Sequence, residues 1–277
     1  MSLSDRLIQD FQSLALQGDD DFDCTRAGLL VSKILKPSGD PAFYEEKLTV
    51  LAERLARYPQ DKDDLVDKVA ALRAILVEAE GFCGDEDAYD DLDHMNLFCV
   101  LDQKCGTAMT LSLIYRDVAK RCGWAVEVLN FPGHSLIRLE EGAARVILDP
   151  FAGCIELTAF DLRQFLQVIG GPETELSPVH YDAISPKTLI MRHLFAIKSH
   201  FLRCEQISQA LEILHVLILL EENSAAYWRE AGLLQARIGL LKEAVFSLEK
   251  AVENTTDPQA IRHTQNIIAD IKKGLSE

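Results

Sequence analysis

The chain has 277 residues, 48% of them hydrophobic and 7% aromatic, which is enough to bury one large core or two moderate ones. Its formal net charge is -16, from 28 basic and 44 acidic residues. A field of that sign repels phosphate backbones and anionic lipid surfaces, so we expect no nucleic-acid partner and no membrane partner. Solubility alone accounts for the charge, although an acidic protein can also bind basic proteins.

The seven cysteines include no C-x-x-C pair, so neither a zinc ribbon nor a thioredoxin-like site is indicated. Most have apolar neighbours, as reduced cytosolic thiols do. Asp5 and Asp10 stand where a secretory signal would be apolar, and the longest aliphatic run, 216–220, is too short to cross a bilayer. We therefore expect a cytoplasmic protein without cofactor or metal.

The segment 1–80 predicts a helical lead-in. Apolar residues recur at helical spacing over four stretches, which are 2–17, 25–35, 42–58 and 62–79. The segment 81–94 that follows is acidic, but it lacks the ligand positions of a calcium-binding EF-hand loop. A solvated acidic loop is the favoured interpretation, with calcium binding as the alternative.

Residues 81–169 predict an α+β core. An apolar helix over 108–122 precedes three strand-like runs, 124–131, 135–139 and 145–148. The glycine-containing turn at 140–143 indicates that the last two runs form an antiparallel hairpin. A further helix is predicted over 158–168. A linker rich in glycine and proline then occupies 170–187.

The last part, 188–277, is self-similar at a fixed spacing. Apolar or small residues recur at that spacing in five pairs, namely Leu194 with Trp228, Ile197 with Ala231, Ala210 with Ala244, Leu214 with Leu248 and Leu217 with Ala251. Together with Gly232, Gly239 and Pro258, these follow the pattern of the tetratricopeptide repeat. Two repeats are few, so the array is expected to pack on the preceding domain or to end in a capping helix at 257–275. It either binds a protein or peptide partner or only supports the core.

One constellation could carry chemistry: Cys105, His134 and Asp149. In such a set the imidazole takes the thiol proton, and the carboxylate orients the imidazole. His134 precedes one strand of the predicted hairpin and Asp149 ends the next, so antiparallel pairing places the two side by side. Each also has a structural interpretation, His134 as a hydrogen-bonded turn residue and Asp149 as a turn cap.

Four motifs in this region resemble the SirB-type transglutaminase-like proteins. They are GFCGDEDAYDD at 81–91, Gly106 with the helix TLSLIYRDVAKRCG at 110–123, NFPGHSLIR at 130–138, and DPFAGC at 149–154. The helical repeats at 191–258 are similar to the C-terminal half of that family. The resemblance implies a mostly helical protein with a papain-like or transglutaminase-like core, a small antiparallel sheet and a tetratricopeptide tail.

The resemblance also assigns the site. The family's active enzymes carry the nucleophile in a G-x-C motif at the start of the core helix, and matching Gly106 puts Ala108 at that position. The histidine that acts as the base in those enzymes maps onto His134, and the aspartate that orients it maps onto Asp149. The pocket residues implied are Gly106, Ala108, Asn130, Gly133 and Phe151.

Three functions remain open. The first is a non-catalytic binding or scaffold protein, a pseudoenzyme, which the alanine at the nucleophile position favours. The second is a cysteine hydrolase or acyltransferase in which Cys105, three residues earlier, replaces the missing nucleophile; a bystander thiol is the commoner state of such a cysteine. The third is a sensor whose vestigial cleft binds an amide or a peptide end.

Overall fold

The computed structural model describes residues 3–59, 64–85 and 90–274. The chain divides into two compact units, one of residues 19–193 and the other of residues 1–18 together with 194–277. This division differs from the predicted boundaries at 80, 169 and 187. The first predicted helix belongs to the C-terminal unit because it packs there, and the boundary lies within a helix rather than in the linker.

The larger unit begins with helices that the sequence predicts. Their N-termini are capped by aspartates at 23, 40 and 64, which accept hydrogen bonds from backbone N–H groups of the first turn. The helices are α2 (Cys24–Leu35), α3 (Pro41–Ala56) and α4 (Leu65–Leu72), and a π-helical segment, Arg73–Ala79, continues α4. The predicted helix over 62–79 is thus α-helical only in its first half, and its residues 62 and 63 lie outside the described residues.

The acidic stretch that follows contains more regular structure than predicted. Strand β1 (Cys83–Gly84) pairs in parallel with β2 (Cys105–Gly106), and a 3-10 turn covers Leu92–Met95. A short helix, α5 (Leu97–Gln103), connects them and was not predicted. Residues 86–89 lie outside the described residues, and so does part of the candidate calcium loop.

Helix α6 (Ala108–Arg121) forms the centre of this unit. Thr107 caps it, because its side chain accepts a hydrogen bond from the Thr110 N–H. Most of its residues are buried, on every side of the helix, as expected of a helix enclosed by other elements. The predicted helix over 108–122 is confirmed.

A four-stranded antiparallel sheet packs against this helix. Its strands lie in chain order, β3 (Ala125–Val128), β4 (Ile137–Glu141), β5 (Ala144–Asp149) and β6 (Ile155–Leu157). The predicted hairpin is confirmed, since β4 and β5 pair from Ile137 with Leu148 to Glu141 with Ala144. The first strand ends three residues earlier than predicted, and β6 was not predicted.

Helix α7 (Ala159–Gly170) closes one side of the sheet. A capping box of Thr158 and Asp161 starts it, and its residues Leu162 and Leu166 are buried. They pack with Leu129 and Leu136 of the strand ends in one apolar cluster. This cluster supports the loop between β3 and β4, which contains His134.

The second unit is helical. It contains α1 (Asp5–Ala15) and, toward the C-terminus, the end of α8 (Pro186–Arg203), α9 (Ile207–Leu220), α10 (Ala225–Arg237), α11 (Leu241–Glu253) and α12 (Pro258–Gly274). Helix α1 packs on α9 and buries Phe11 and Leu14. Within the described residues, no helix is both long enough and apolar enough to span a membrane.

Candidate functional site

The structure brings His134 and Asp149 into direct contact. Nε2 of His134 lies 2.9 Å from Oδ2 of Asp149. The contact follows from the hairpin, because Ile137 in β4 pairs with Leu148 in β5 and each site residue lies just beyond this pair. With Nε2 bonded to the carboxylate, Nδ1 is the ring nitrogen that remains to exchange a proton with another group.

Asp149 is held by backbone groups as well as by the imidazole. Its Oδ1 accepts hydrogen bonds from the N–H of Phe151 at 2.9 Å and from the N–H of Ala152 at 3.3 Å. The carboxylate is 2% exposed. The turn-capping role and the orienting role considered for Asp149 are therefore compatible, because each uses a different oxygen.

The imidazole of His134 contacts two aromatic rings. Phe151 is edge-on to it, with ring centroids 5.8 Å apart, and Phe165 is tilted against it at 5.5 Å. The side chain keeps 17% exposure, so the ring is fixed yet reachable from solvent. Gly133 next to it has φ of +69°, and a Cβ there would meet Ile169 at 2.6 Å, so this turn requires glycine.

Helix α6 starts beside this histidine. Its Ser112 hydroxyl donates to the Ser135 carbonyl at 2.9 Å, and Met109 contacts the Ser135 hydroxyl. Ala108 is the first residue of the helix and is 2% exposed. The methyl group thus lies at the N-terminus of a buried helix, where the helix dipole would lower the pKa of a thiol.

Cys105 is directed to a different neighbour. It lies in β2 opposite Cys83 of β1, and its thiol is hydrogen bonded to the Cys83 side chain. Burial, and after it the Cys83 thiol, raises the pKa of Cys105 to about 11. A thiol with that pKa is protonated at neutral pH, which is the opposite of what nucleophilic catalysis needs.

Two further cysteines, Cys154 and Cys99, have thiols of raised pKa. Cys154 is fully buried behind Asp149, and burial raises its pKa to about 12. Cys99 is buried in α5, and burial again raises its pKa. Neither has the surroundings of a nucleophile.

The predicted pocket residues have different positions. Phe151 forms part of the wall around His134, and Gly106 is buried directly before the α6 cap. The side-chain oxygen of Asn130, by contrast, accepts a hydrogen bond from Arg192 Nη2 at 2.5 Å. Asn130 therefore holds α8 against the loop, a role that the sequence did not indicate.

Gly84 is a site residue that sequence reasoning did not single out. Its N–H donates to the Phe151 carbonyl at 3.0 Å, and an added Cβ would lie 2.2 Å from the Phe151 ring. Only glycine lets β1 lie flat on this ring, which in turn contacts His134. The available signal was the glycine-containing motif at 81–84, whose role the sequence alone does not reveal.

No group of three potential ligands among His, Cys, Asp and Glu could hold a metal ion within the part of the chain that the structure describes.

Residues 42–195 match the transglutaminase-like superfamily, a stretch that contains the helix, the sheet and the His134–Asp149 pair. The chain belongs to this superfamily. A UPF0162 protein of Xylella fastidiosa is 24% identical over 250 residues, covering 89% of each chain. Protein SirB1 of Salmonella typhimurium is 25% identical over 228 residues, covering 81% of this chain and 83% of its own.

These relatives confirm the predicted resemblance to SirB-type proteins. Mouse F-box only protein 21 is also similar, with 32% identity over 81 residues, but the match covers only 29% of this chain and 13% of that protein.

Proposed function

We propose that this protein is a transglutaminase-like binding protein that has lost catalysis. The observation that carries the proposal is Ala108, the first residue of the buried helix whose Met109 and Ser112 contact Ser135, next to His134. The resemblance to the superfamily assigns the nucleophile to this position. A histidine–aspartate pair without a nucleophile can still bind a ligand through the free ring nitrogen.

The raised pKa of Cys105 supports the binding role over the alternative of a cysteine hydrolase or acyltransferase. A working nucleophile needs a base as its partner, whereas the Cys105 thiol is paired with a second thiol. A displacement of even about 1 Å from the productive position costs much of the rate.

The proposal extends to the C-terminal helices, which we take to be tetratricopeptide-like repeats that bind a protein or peptide. Corresponding positions of the two repeats have matched burial: Ala210 and Ala244 are both inaccessible, as are Leu214 and Leu248. A cavity of about 490 Å³ in this unit has Trp228 among its lining residues. A volume of that size can accept an apolar side chain of a partner.

The proposal is tested by changing the two positions that decide it. We expect the wild-type chain to show no acyl-transfer or amide-hydrolysis activity that depends on His134, so that the wild type and His134→Ala give the same background rates.

We also expect Ala108→Cys to introduce a thiol of lowered pKa, because it adds a sulfur at a helix N-terminus near an imidazole. Alkylation by iodoacetamide at mildly acidic pH, located by peptide mass mapping, measures this reactivity.

The matched control is Ala119→Cys, which adds a buried thiol to the same helix about three turns further on. We expect Ala108→Cys to be alkylated faster than Ala119→Cys, and to lose that advantage when combined with His134→Ala. Wild-type turnover that disappears in His134→Ala and in Cys105→Ser would overturn the binding proposal in favour of the enzyme.

A further inference from the structure

Two cysteines that are well separated in sequence face each other beside the candidate site. Cys83 in β1 and Cys105 in β2 are direct partners in the parallel strand pair. Neighbouring strands lie about 4.8 Å apart, which is within the range of Cα separations that a disulfide bridges. Partner residues of a parallel pair also direct their side chains to the same face, and here the two thiols are hydrogen bonded.

The two thiols differ in their access to solvent. Cys83 is exposed, whereas Cys105 is partly buried. An oxidant dissolved in water therefore reaches Cys83 first, and Cys105 lies in position to react with the product. A solvent-accessible thiol next to a second cysteine is the arrangement found in cysteine pairs that undergo reversible oxidation.

We propose that Cys83 and Cys105 form a reversible disulfide when the protein meets a hydroperoxide. In the first step the Cys83 sulfur bonds to one of the two equivalent oxygens of hydrogen peroxide, and the other oxygen takes the Cys83 proton. The O–O bond breaks, Cys83 becomes a sulfenic acid, and one water is released. In the second step Cys105 loses its proton and its sulfur attacks the Cys83 sulfur, the S–O bond breaks, and the hydroxyl leaves with that proton as a second water. The raised pKa of Cys105 makes this step slow at neutral pH and faster as the pH rises. Two thiols are oxidised and one peroxide is reduced.

Oxidation at this pair would act on the candidate site through β1. Gly84 follows Cys83, donates its N–H to the Phe151 carbonyl, and lies against the Phe151 ring. Phe151 in turn contacts His134. A disulfide would tie β1 to the segment that leads into α6, and so restrain the backbone that holds Phe151 against His134. The formation of the bond itself does not depend on what the candidate site binds.

The experiment uses the full chain, fully reduced and then treated with increasing hydrogen peroxide. Free thiols are blocked with N-ethylmaleimide, and the protein is digested without reduction and mapped by mass spectrometry. We expect a cross-linked peptide pair joining residues 83 and 105, with the loss of two of the seven free thiols. Dithiothreitol should restore both thiols.

Cys204→Ser is the matched control, because Cys204 is the other exposed cysteine among the described residues. This variant should still form the cross-link, whereas in Cys105→Ser the sulfenic acid at Cys83 should persist and be trapped by dimedone. The proposal is overturned if Cys83 and Cys204 of the wild type over-oxidise at similar rates without a cross-link. It is also overturned if Cys83 pairs with another cysteine instead.

Discussion

Among single residues, His193 in α8 makes the stability of the fold depend on pH. It is 1% exposed, and burial lowers the pKa of its imidazole from 6.5 to about 4, against a smaller opposing effect of the Met95 backbone. Below pH 6.5 the unfolded chain binds a proton at this residue that the folded chain does not. The neutral imidazole therefore contributes stability above pH 6.5, and this contribution is lost as the pH falls toward 4.

We expect the free energy of unfolding to fall by up to about 3 kcal/mol between pH 6.5 and pH 4 because of this histidine alone. In His193→Leu, which cannot take up a proton, the fall over this range should be smaller by that amount. Urea unfolding at a series of pH values measures both curves. His263→Gln, at an exposed histidine, is the control and should follow the wild type. Parallel curves for the wild type and His193→Leu would contradict the assignment.

Among contacts between single residues, the sequence predicted those that follow from the pairing of two strands adjacent in the chain. His134 and Asp149 flank one hairpin, so a turn and two alternating strands were enough to bring them together. Cys83 and Cys105 meet across two strands of two residues each, too short to leave a pattern of alternation. Their contact depends on how the segment between them, which contains α5, folds. No pattern in a single sequence predicts that arrangement.

Among the helices, one buried ion pair connects α8 to α10. Nζ of Lys198 lies 2.7 and 2.5 Å from the two carboxylate oxygens of Glu230, and the lysine side chain is 2% exposed. The Phe195 ring lies 4.4 Å from the same ammonium. Burial of a charge is tolerated only with such partners, so the pair fixes how the two helices pack.

We expect Glu230→Gln to lower the free energy of unfolding by about 2 kcal/mol, because it leaves the Lys198 ammonium buried without its counter-charge. The estimate is at the low end for buried pairs because Glu230 is 34% exposed. The double variant Lys198→Met with Glu230→Gln should recover most of the loss, as measured by chemical denaturation. Glu253→Gln, which breaks the exposed pair with Lys250, should change nothing measurable. Equal effects of Glu230→Gln and Glu253→Gln would show that the buried pair carries no stability.

The sequence predicted the helices in which apolar residues recur regularly, and it did not predict the elements that are too short to show such a pattern. The helices of the lead-in, α6, α7 and the C-terminal helices carry apolar residues at helical spacing over at least two turns. Strand β6 has three residues, and α5 begins with a continuous apolar run of only five, Leu97–Leu101, which does not distinguish a helix from a buried strand. The π-helical segment 73–79 has the same apolar spacing as the α-helix before it, so its hydrogen bonding was not predictable from pattern.

For the molecule as a whole, the net charge of -16 affects which partners the protein attracts. If the C-terminal cavity accepts a partner, electrostatic attraction favours a basic, amphipathic peptide over an acidic one. In a Trp124→Phe background Trp228 is the single tryptophan, and it lines the cavity, so its fluorescence reports occupancy.

We expect a helical peptide of leucine and lysine to change the Trp228 emission saturably, with an affinity that falls as salt screens the charges. The same peptide with glutamate in place of lysine is the control and should not bind. Equal binding of the two peptides would contradict charge-guided recognition, and the absence of saturation with either would contradict the cavity as a docking site.

The unit boundaries were not predictable from the composition of the chain. Glycine and proline at 170–187 indicated a linker, but the division falls within α8, whose sequence is continuous and helical. The membership of α1 in the C-terminal unit depends on its contact with α9, which lies far along the chain. The amphipathic pattern of α1 shows only that it packs somewhere.

That long-range contact has a consequence for synthesis. Helix α1, which buries Phe11 and Leu14, is synthesised well before α9, the helix that it packs on and that ends at Leu220. At the usual elongation rates of about 5 to 20 residues per second, this apolar face waits roughly 10 to 40 seconds for its partner. During that interval the apolar face of α1 is uncovered in the nascent chain, and a chaperone can bind it. The residues between the two helices fold independently of this contact.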